Sequence, residues 1–176
     1  MSDARPSLQQ EPLWFLHRLS PDDSAYHVAF ALDIEGALDE AALEAAVADV
    51  VAAQDVLRLA MPTRLGRAEL ALEPIEGPLV ERTSVIDAKD PAAAREAILA
   101  ELVDRPFDLG EPPLFRVGLV EEGRGRFALG CVFHHVIFDG ASVELFADAL
   151  LRAYDARARG AAPPLEASAP PFAEFV

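Results

Sequence analysis

Phe133-His134-His135-Val136-Ile137-Phe138-Asp139-Gly140-Ala141-Ser142 is the stretch on which the reading of this chain turns. Just before it, Phe127, Leu129, Cys131 and Phe133 alternate with other residues, a pattern that predicts a strand. Just after it, Asp139-Gly140 opens a helical segment running to Arg159, with Val143, Phe146, Leu150 and Tyr154 as its apolar stripe. Successive side chains on a strand point to opposite faces, so His134 and His135 cannot do the same job. One is expected to enter packing and the other to face a cleft. The apolar Val136-Ile137-Phe138 makes a poor surface loop, so polar groups are held here in largely dry surroundings.

Working outward, residues 114–120 pair with 126–133 through the turn Glu122-Gly123-Arg124-Gly125. Asp90-Pro91 is a cap followed by proline at the first helical position, starting a helix with Ile98, Leu99 and Leu102 that stops near Pro106. Residues 80–86 read as a strand, and 57–61 with 68–73 as a hairpin around Arg64-Leu65-Gly66-Arg67. Asp39 caps a helix over 40–53, and the alternation of Tyr26, Val28, Phe30, Leu32 and Ile34 gives a strand ending at Gly36. Residues 7–19 form an opening helix that offers Leu8, Leu13, Trp14 and Leu16 for burial, with Pro12 near its start. The elements do not alternate strictly enough for a doubly wound parallel fold. The expected class is α/β of the α+β type: a mixed, largely antiparallel sheet with helices packed on one face.

Composition excludes several functions. A length of 176 residues with 52% hydrophobic side chains supports one domain with a sizeable core. No apolar run reaches the length of a membrane span, and the first residues lack a secretion signal. Cys131 is the only cysteine, so disulfides within the chain are impossible and a cytoplasmic setting is expected. The net charge of −15, with Lys89 the only lysine, argues against nucleic acid or an anionic membrane as partner. His134 and His135 face opposite ways and His17 and His27 lie in unrelated segments, so no metal site is expected. There is no Gly-x-Ser-x-Gly elbow, and the predicted burial of Cys131 removes it as a nucleophile.

The segment 134–140 matches His-His-x-x-x-Asp-Gly, and with it the chain resembles the condensation domains of nonribosomal peptide synthetases and related acyltransferases. Ser7-Leu8-Gln9-Gln10-Glu11-Pro12-Leu13-Trp14-Phe15-Leu16 is similar to that family's opening motif, Ser-x-Ala-Gln-x-Arg-Leu-Trp-x-Leu, with Pro12 in place of arginine and Gln9 in place of alanine. Gln54-Asp55-Val56-Leu57-Arg58 resembles His-Glu-x-Leu-Arg with its first two letters altered. Pro106-Phe107-Asp108-Leu109 and Pro113-Leu114-Phe115-Arg116 are similar to the segment before the histidine strand, and Phe172-Ala173-Glu174-Phe175 to the start of the next motif.

The resemblance implies a protein of two chloramphenicol-acetyltransferase-like halves facing across a tunnel, of which this chain is the N-terminal one. Residues 1–160 would be that subdomain, and 161–176 a Pro/Ala-rich linker beginning the crossover to a C-terminal half absent here. It implies amide formation between donor and acceptor thioesters carried on phosphopantetheine arms by peptidyl and aminoacyl carrier proteins, with no cofactor bound directly. An α-ammonium has a pKa of about 8 and an imidazole one of about 6.5, so a histidine suits the removal of the attacking amine's proton. His135 matches the family's active-site histidine, as base or as positioning group. His134 and Asp139 match supporting positions, and Arg58 is the intramolecular candidate to pair with Asp139, a role an arginine of the other half can also fill. Gly140 lets a pantetheine arm approach or simply turns the chain, and Ser142 caps the helix or touches substrate. The half chain alone is expected to be inactive and to self-associate through its uncovered face. Two other readings stand beside it: a noncatalytic module docking carrier proteins or a synthetase partner, and a small oligomeric acyltransferase with its site between subunits.

Overall fold

In the computed structural model, residues 5–165 are described. Helix α1 (Gln10–Leu19) leads to strand β1 (His27–Glu35) and helix α2 (Glu40–Ala53). A 3-10 turn (Asp55–Arg58) then precedes the short strands β2 (Leu59–Ala60), β3 (Thr63–Arg64), β4 (Arg67–Ala68) and β5 (Ala71–Leu72). Strand β6 (Val80–Ser84), helix α3 (Pro91–Asp104), strands β7 (Phe115–Gly123) and β8 (Arg126–His134), and helix α4 (Gly140–Ala158) complete it. The main sheet runs β1-β8-β7-β6, antiparallel except for the parallel β6/β7 pair that α3 bridges. This is the mixed, largely antiparallel sheet that the strand pattern predicts.

The helix starts follow local chemistry. The carboxylates of Asp39 and Asp90 accept the N–H groups of Ala42 and Ala93 at 2.9 and 3.1 Å, filling donors that a first helical turn leaves unpaired. The hairpin forms from residue 59 onward, Leu57 and Arg58 being taken into the 3-10 turn: β3 and β4 close it through Leu65 and Gly66, both at positive φ (50° and 78°), the twist that two-residue hairpins favour. The opening helix departs from expectation. It begins at Gln10, after a turn over residues 7–9, so its inward face is Gln10, Leu13, Trp14 and His17. Leu8 and Leu16 are left exposed, at 93% and 39%.

The helices do not all lie on one face, and here the sequence expectation is corrected. Phe115, Val117, Leu119, Leu129, Cys131 and Phe133 form one face of β7 and β8, and the ring of Phe146 on α4 meets Phe133 there at 4.9 Å. The opposite face carries Gly118, Val120, Ala128, Gly130 and Val132, and it receives Leu99 and Leu102 of α3. Both faces of the central strands are apolar, so both must be covered. Arg157 on α4 donates from Nε and Nη2 to the two carboxylate oxygens of Asp49 on α2, each at 2.6 Å, tying the helix pair on the first face together. Leu165, after α4, also packs against the main core. The rest of the predicted linker and the Phe172-Ala173-Glu174-Phe175-Val176 segment lie outside the described residues. Among the described residues no helix is long and apolar enough to cross a membrane.

Candidate functional site

Strand β8 is central and delivers both histidines at its C-terminal end. The N–H of His134 donates to Leu114 O (2.9 Å) on one side, and that of His135 to Tyr26 O (2.8 Å) on the other. The chain then turns, with the Ile137 N–H donating back to His134 O at 3.0 Å. Val136, Ile137 and Phe138 are all buried, and the Phe138 ring stacks on Phe133 at 3.8 Å between centroids. A loop packed this tightly holds the side chains on either side of it in fixed places.

His134 points into packing. It is 1% exposed, pairs in register with His27 on β1, and its ring meets those of His17 and His27 at 5.9 Å each and Phe107 at 6.2 Å. Its Nδ1 accepts the N–H of Val136 at 3.1 Å. Burial, reinforced by the neighbouring histidines, pushes its pKa down to about 3, so the ring is neutral at pH 7. His27 donates Nδ1–H to Val103 O at 2.6 Å, and burial lowers the pKa of both His17 and His27. The fold thus gathers three histidines that the chain order had kept apart, which corrects the premise on which they were separated. Among the described residues no group of three or more His, Cys, Asp or Glu is disposed to hold a metal ion.

His135 points the other way. It is exposed and lines a cleft of about 790 Å³ together with Ser7, Gln10, Leu13, Val56, Asp139 and Ser142. Its Nδ1 lies 2.7 Å from the carbonyl oxygen of Phe138. A carbonyl only accepts, so Nδ1 carries the proton and Nε2 is the ring's basic nitrogen. A second cavity of about 490 Å³, between α2 and α4, shares Val56, Ile137, Phe138 and Ser142 with the first.

Asp139 caps α4. Its carboxylate accepts the Ser142 N–H at 2.9 Å and hydroxyl at 2.6 Å, and these bonds hold its pKa below the usual carboxylate range. Ser142 returns the contact by accepting the Asp139 N–H, so it caps the helix, and it lies at the rim of the cleft. Gly140 is the first residue of α4, and a Cβ there would meet nothing within 4 Å. The space in front of it is open. Arg58 is not brought to Asp139: its Nη2 pairs with Asp55 at 2.5 Å, three residues earlier, because the 3-10 turn stacks the two side chains. One site residue, Gln10, stood in the sequence only as a letter of the opening motif, without a role. Gln10 is buried at the foot of the cleft, and its Nε2 donates to Val136 O at 3.1 Å. Ser-x-x-Gln at 7–10 is a capping-box pattern that could have drawn attention to it.

The fold and the histidine strand agree with one family. The Condensation domain family matches residues 4–176. The chain belongs to that family. CymA of Salinispora arenicola, named a probable non-canonical nonribosomal peptide synthetase, is 38% identical over 159 residues, and the phosphinothricin tripeptide synthetase PhsB of Streptomyces viridochromogenes is 34% identical over 162. These matches take in 89% and 90% of this chain but only 2% and 14% of those proteins. The starter condensation domain of rhizomide synthetase RzmA superposes with a TM-score of 0.85 at 26% identity, over 92% of this chain and 41% of that one. The condensation fold is therefore present here over less than half the length of that solved domain.

Proposed function

We propose that this chain is the N-terminal lobe of a condensation domain that joins a carrier-bound donor thioester to a carrier-bound acceptor amine, and that His135 acts on the attacking amine. The observation that carries the reading is the state of the His135 ring. Its Nδ1–H is held by Phe138 O, which leaves Nε2 as a hydrogen-bond acceptor in a side chain that lines the cleft. The amine's nitrogen attacks the thioester carbonyl and forms the C–N bond, His135 Nε2 takes the proton that nitrogen loses, and as the C–S bond breaks the departing thiolate of the donor arm receives that proton and leaves as a thiol. His134 and Asp139 serve the site indirectly, one by holding the loop and the other by starting α4. Gly140 and Ser142 border the path of the pantetheine arm, which the carrier proteins bring, so the lobe itself holds no cofactor.

The solved starter domain is more than twice as long, and a second lobe is what would close the cleft into a tunnel. The 176-residue chain alone is expected to form no amide bond between loaded carrier proteins. In a domain completed by a C-terminal lobe, His135→Ala is expected to lower the amide-forming rate by ~10²–10⁴-fold. Full activity of that variant would remove His135 from the chemistry. Exposed Phe15 and Leu19 on α1, and Leu145 and Leu151 on α4, favour a second role for the isolated lobe as a binding module for a partner lobe or a carrier protein.

A further inference from the structure

Two polar side chains are buried among the described residues, Gln10 at 4% and His134 at 1% exposure, and both hold the residue that follows His135. His134 Nδ1 accepts the N–H of Val136, and Gln10 Nε2 donates to its carbonyl oxygen. The two peptide groups flanking Val136 are therefore each fixed from a different part of the chain. Val136 is itself buried, so neither peptide group has water to replace a lost partner.

The orientation of the Gln10 amide is set by its other end. Ser7 N–H donates to Gln10 Oε1 at 3.0 Å, while the Gln10 N–H donates to Ser7 Oγ at 3.2 Å. This reciprocal cap places the oxygen toward Ser7 and the NH₂ toward Val136. The position asks for an acceptor on one side and a donor on the other, which a glutamine supplies in a single plane. A glutamate would keep the acceptor toward Ser7 and set a carboxylate oxygen against the Val136 carbonyl. A methionine of similar length would supply neither.

We propose that Gln10 is a positioning residue for His135: through the Val136 carbonyl it holds the 135–138 turn in the shape that keeps the His135 ring bonded to Phe138 O. The start of α1 is in this way coupled to the histidine on β8 across 126 residues of chain. The functional half of this inference rests on the role proposed above for His135; the structural half does not.

The test uses Gln10→Glu, Gln10→Met and, as a control that breaks only the outer cap, Ser7→Ala. Nitrogen-15 NMR of the His135 ring reports its tautomer, amide exchange at Val136 reports the clamp, and urea unfolding reports global stability. Both Gln10 variants are expected to mix the His135 tautomers and to speed Val136 exchange by about 10–100-fold beyond any change in global stability, the equivalent of one lost buried hydrogen bond. Ser7→Ala is expected to leave the tautomer single. In the completed domain, kcat should fall ~10-fold in the Gln10 variants at unchanged KM for the loaded donor carrier. A single Nδ1–H tautomer in either folded Gln10 variant, or Val136 exchange that follows global stability alone, overturns the proposal. Loss of the clamp in these variants together with full activity of His135→Ala would leave the clamp standing and remove the function assigned to His135.

Discussion

The Nδ1 of His134 accepts the backbone N–H of Val136 at 3.1 Å, so a neutral imidazole is a structural part of the turn. Protonating that nitrogen would set a donor against a donor. The groups around the ring make this harder still: His27, His17 and His135 all disfavour a charge at His134. Asp108 and Asp22 near His17, and Asp23 near His27, oppose this without reversing the lowered pKa of either ring, and Arg116 near His27 reinforces it.

Acid should therefore unfold the protein earlier than its carboxylates alone would dictate. The His134 pKa is about 3 in the fold against 6.5 in its absence, so between those values the unfolded chain binds the extra proton. Stability is then highest above about pH 6.5 and falls as pH drops, by up to about 1.4 kcal/mol per pH unit for this one group, until about pH 3. His17 and His27 add to the loss in the same direction. Replacing His134 by asparagine, whose Oδ1 is able to accept the Val136 N–H without titrating, is expected to flatten urea unfolding midpoints between pH 7 and pH 5. An equally steep profile in that variant would assign the acid sensitivity elsewhere.

Arg58 and Asp139 are expected to be energetically independent in this chain. Arg58 is paired with Asp55, and the Asp139 carboxylate is taken by Ser142. Asp139→Ala should cost about 1 kcal/mol, the usual value of a lost N-cap, and Asp139→Asn should recover most of it. A double-mutant cycle between Arg58 and Asp139 should give a coupling below about 0.3 kcal/mol, against a measurable one between Arg58 and Asp55. A coupling of about 1 kcal/mol for the first pair would show that they meet in solution.

What could be read from the chain divides along one physical line. The Asp39, Asp90 and Asp139 caps, the Arg64-Leu65-Gly66-Arg67 turn and the strand alternation ending at Phe133 all depend on neighbours a few residues away, and each was legible. The opposite orientation of His134 and His135 follows from strand geometry alone and was legible too. The misread features depend on which surfaces meet. Nothing local says that His17 and His27 close on His134, that Gln10 reaches Val136, or that Arg58 prefers Asp55 to Asp139. The side of the sheet taken by α3 had a signal that went unused. Gly118 and Gly130 interrupt two apolar strands, and glycine inside a strand marks a close approach by something else.

Gly118 and Gly130 are register partners on β7 and β8, forming a shallow depression under α3 that has no room for a side chain. A Cβ at Gly130 would lie 2.7 Å from Leu99 Cδ2 and 3.1 Å from Leu102 Cδ2; one at Gly118 would lie 3.1 Å from Leu102 Cδ2. The first distance is too short for two methyl groups, so either Leu99 changes rotamer or α3 lifts from the sheet. Gly130→Ala is expected to cost about 1–3 kcal/mol by urea unfolding, the range for overpacking, and Gly118→Ala less, because it meets one leucine tip at a longer distance. Leu99→Ala should relieve the clash, so that the Gly130→Ala/Leu99→Ala double variant is more stable than the sum of the two single losses predicts, by about 1 kcal/mol. Strict additivity, or a Gly130→Ala protein as stable as the parent, would mean that α3 does not rest on this glycine pair.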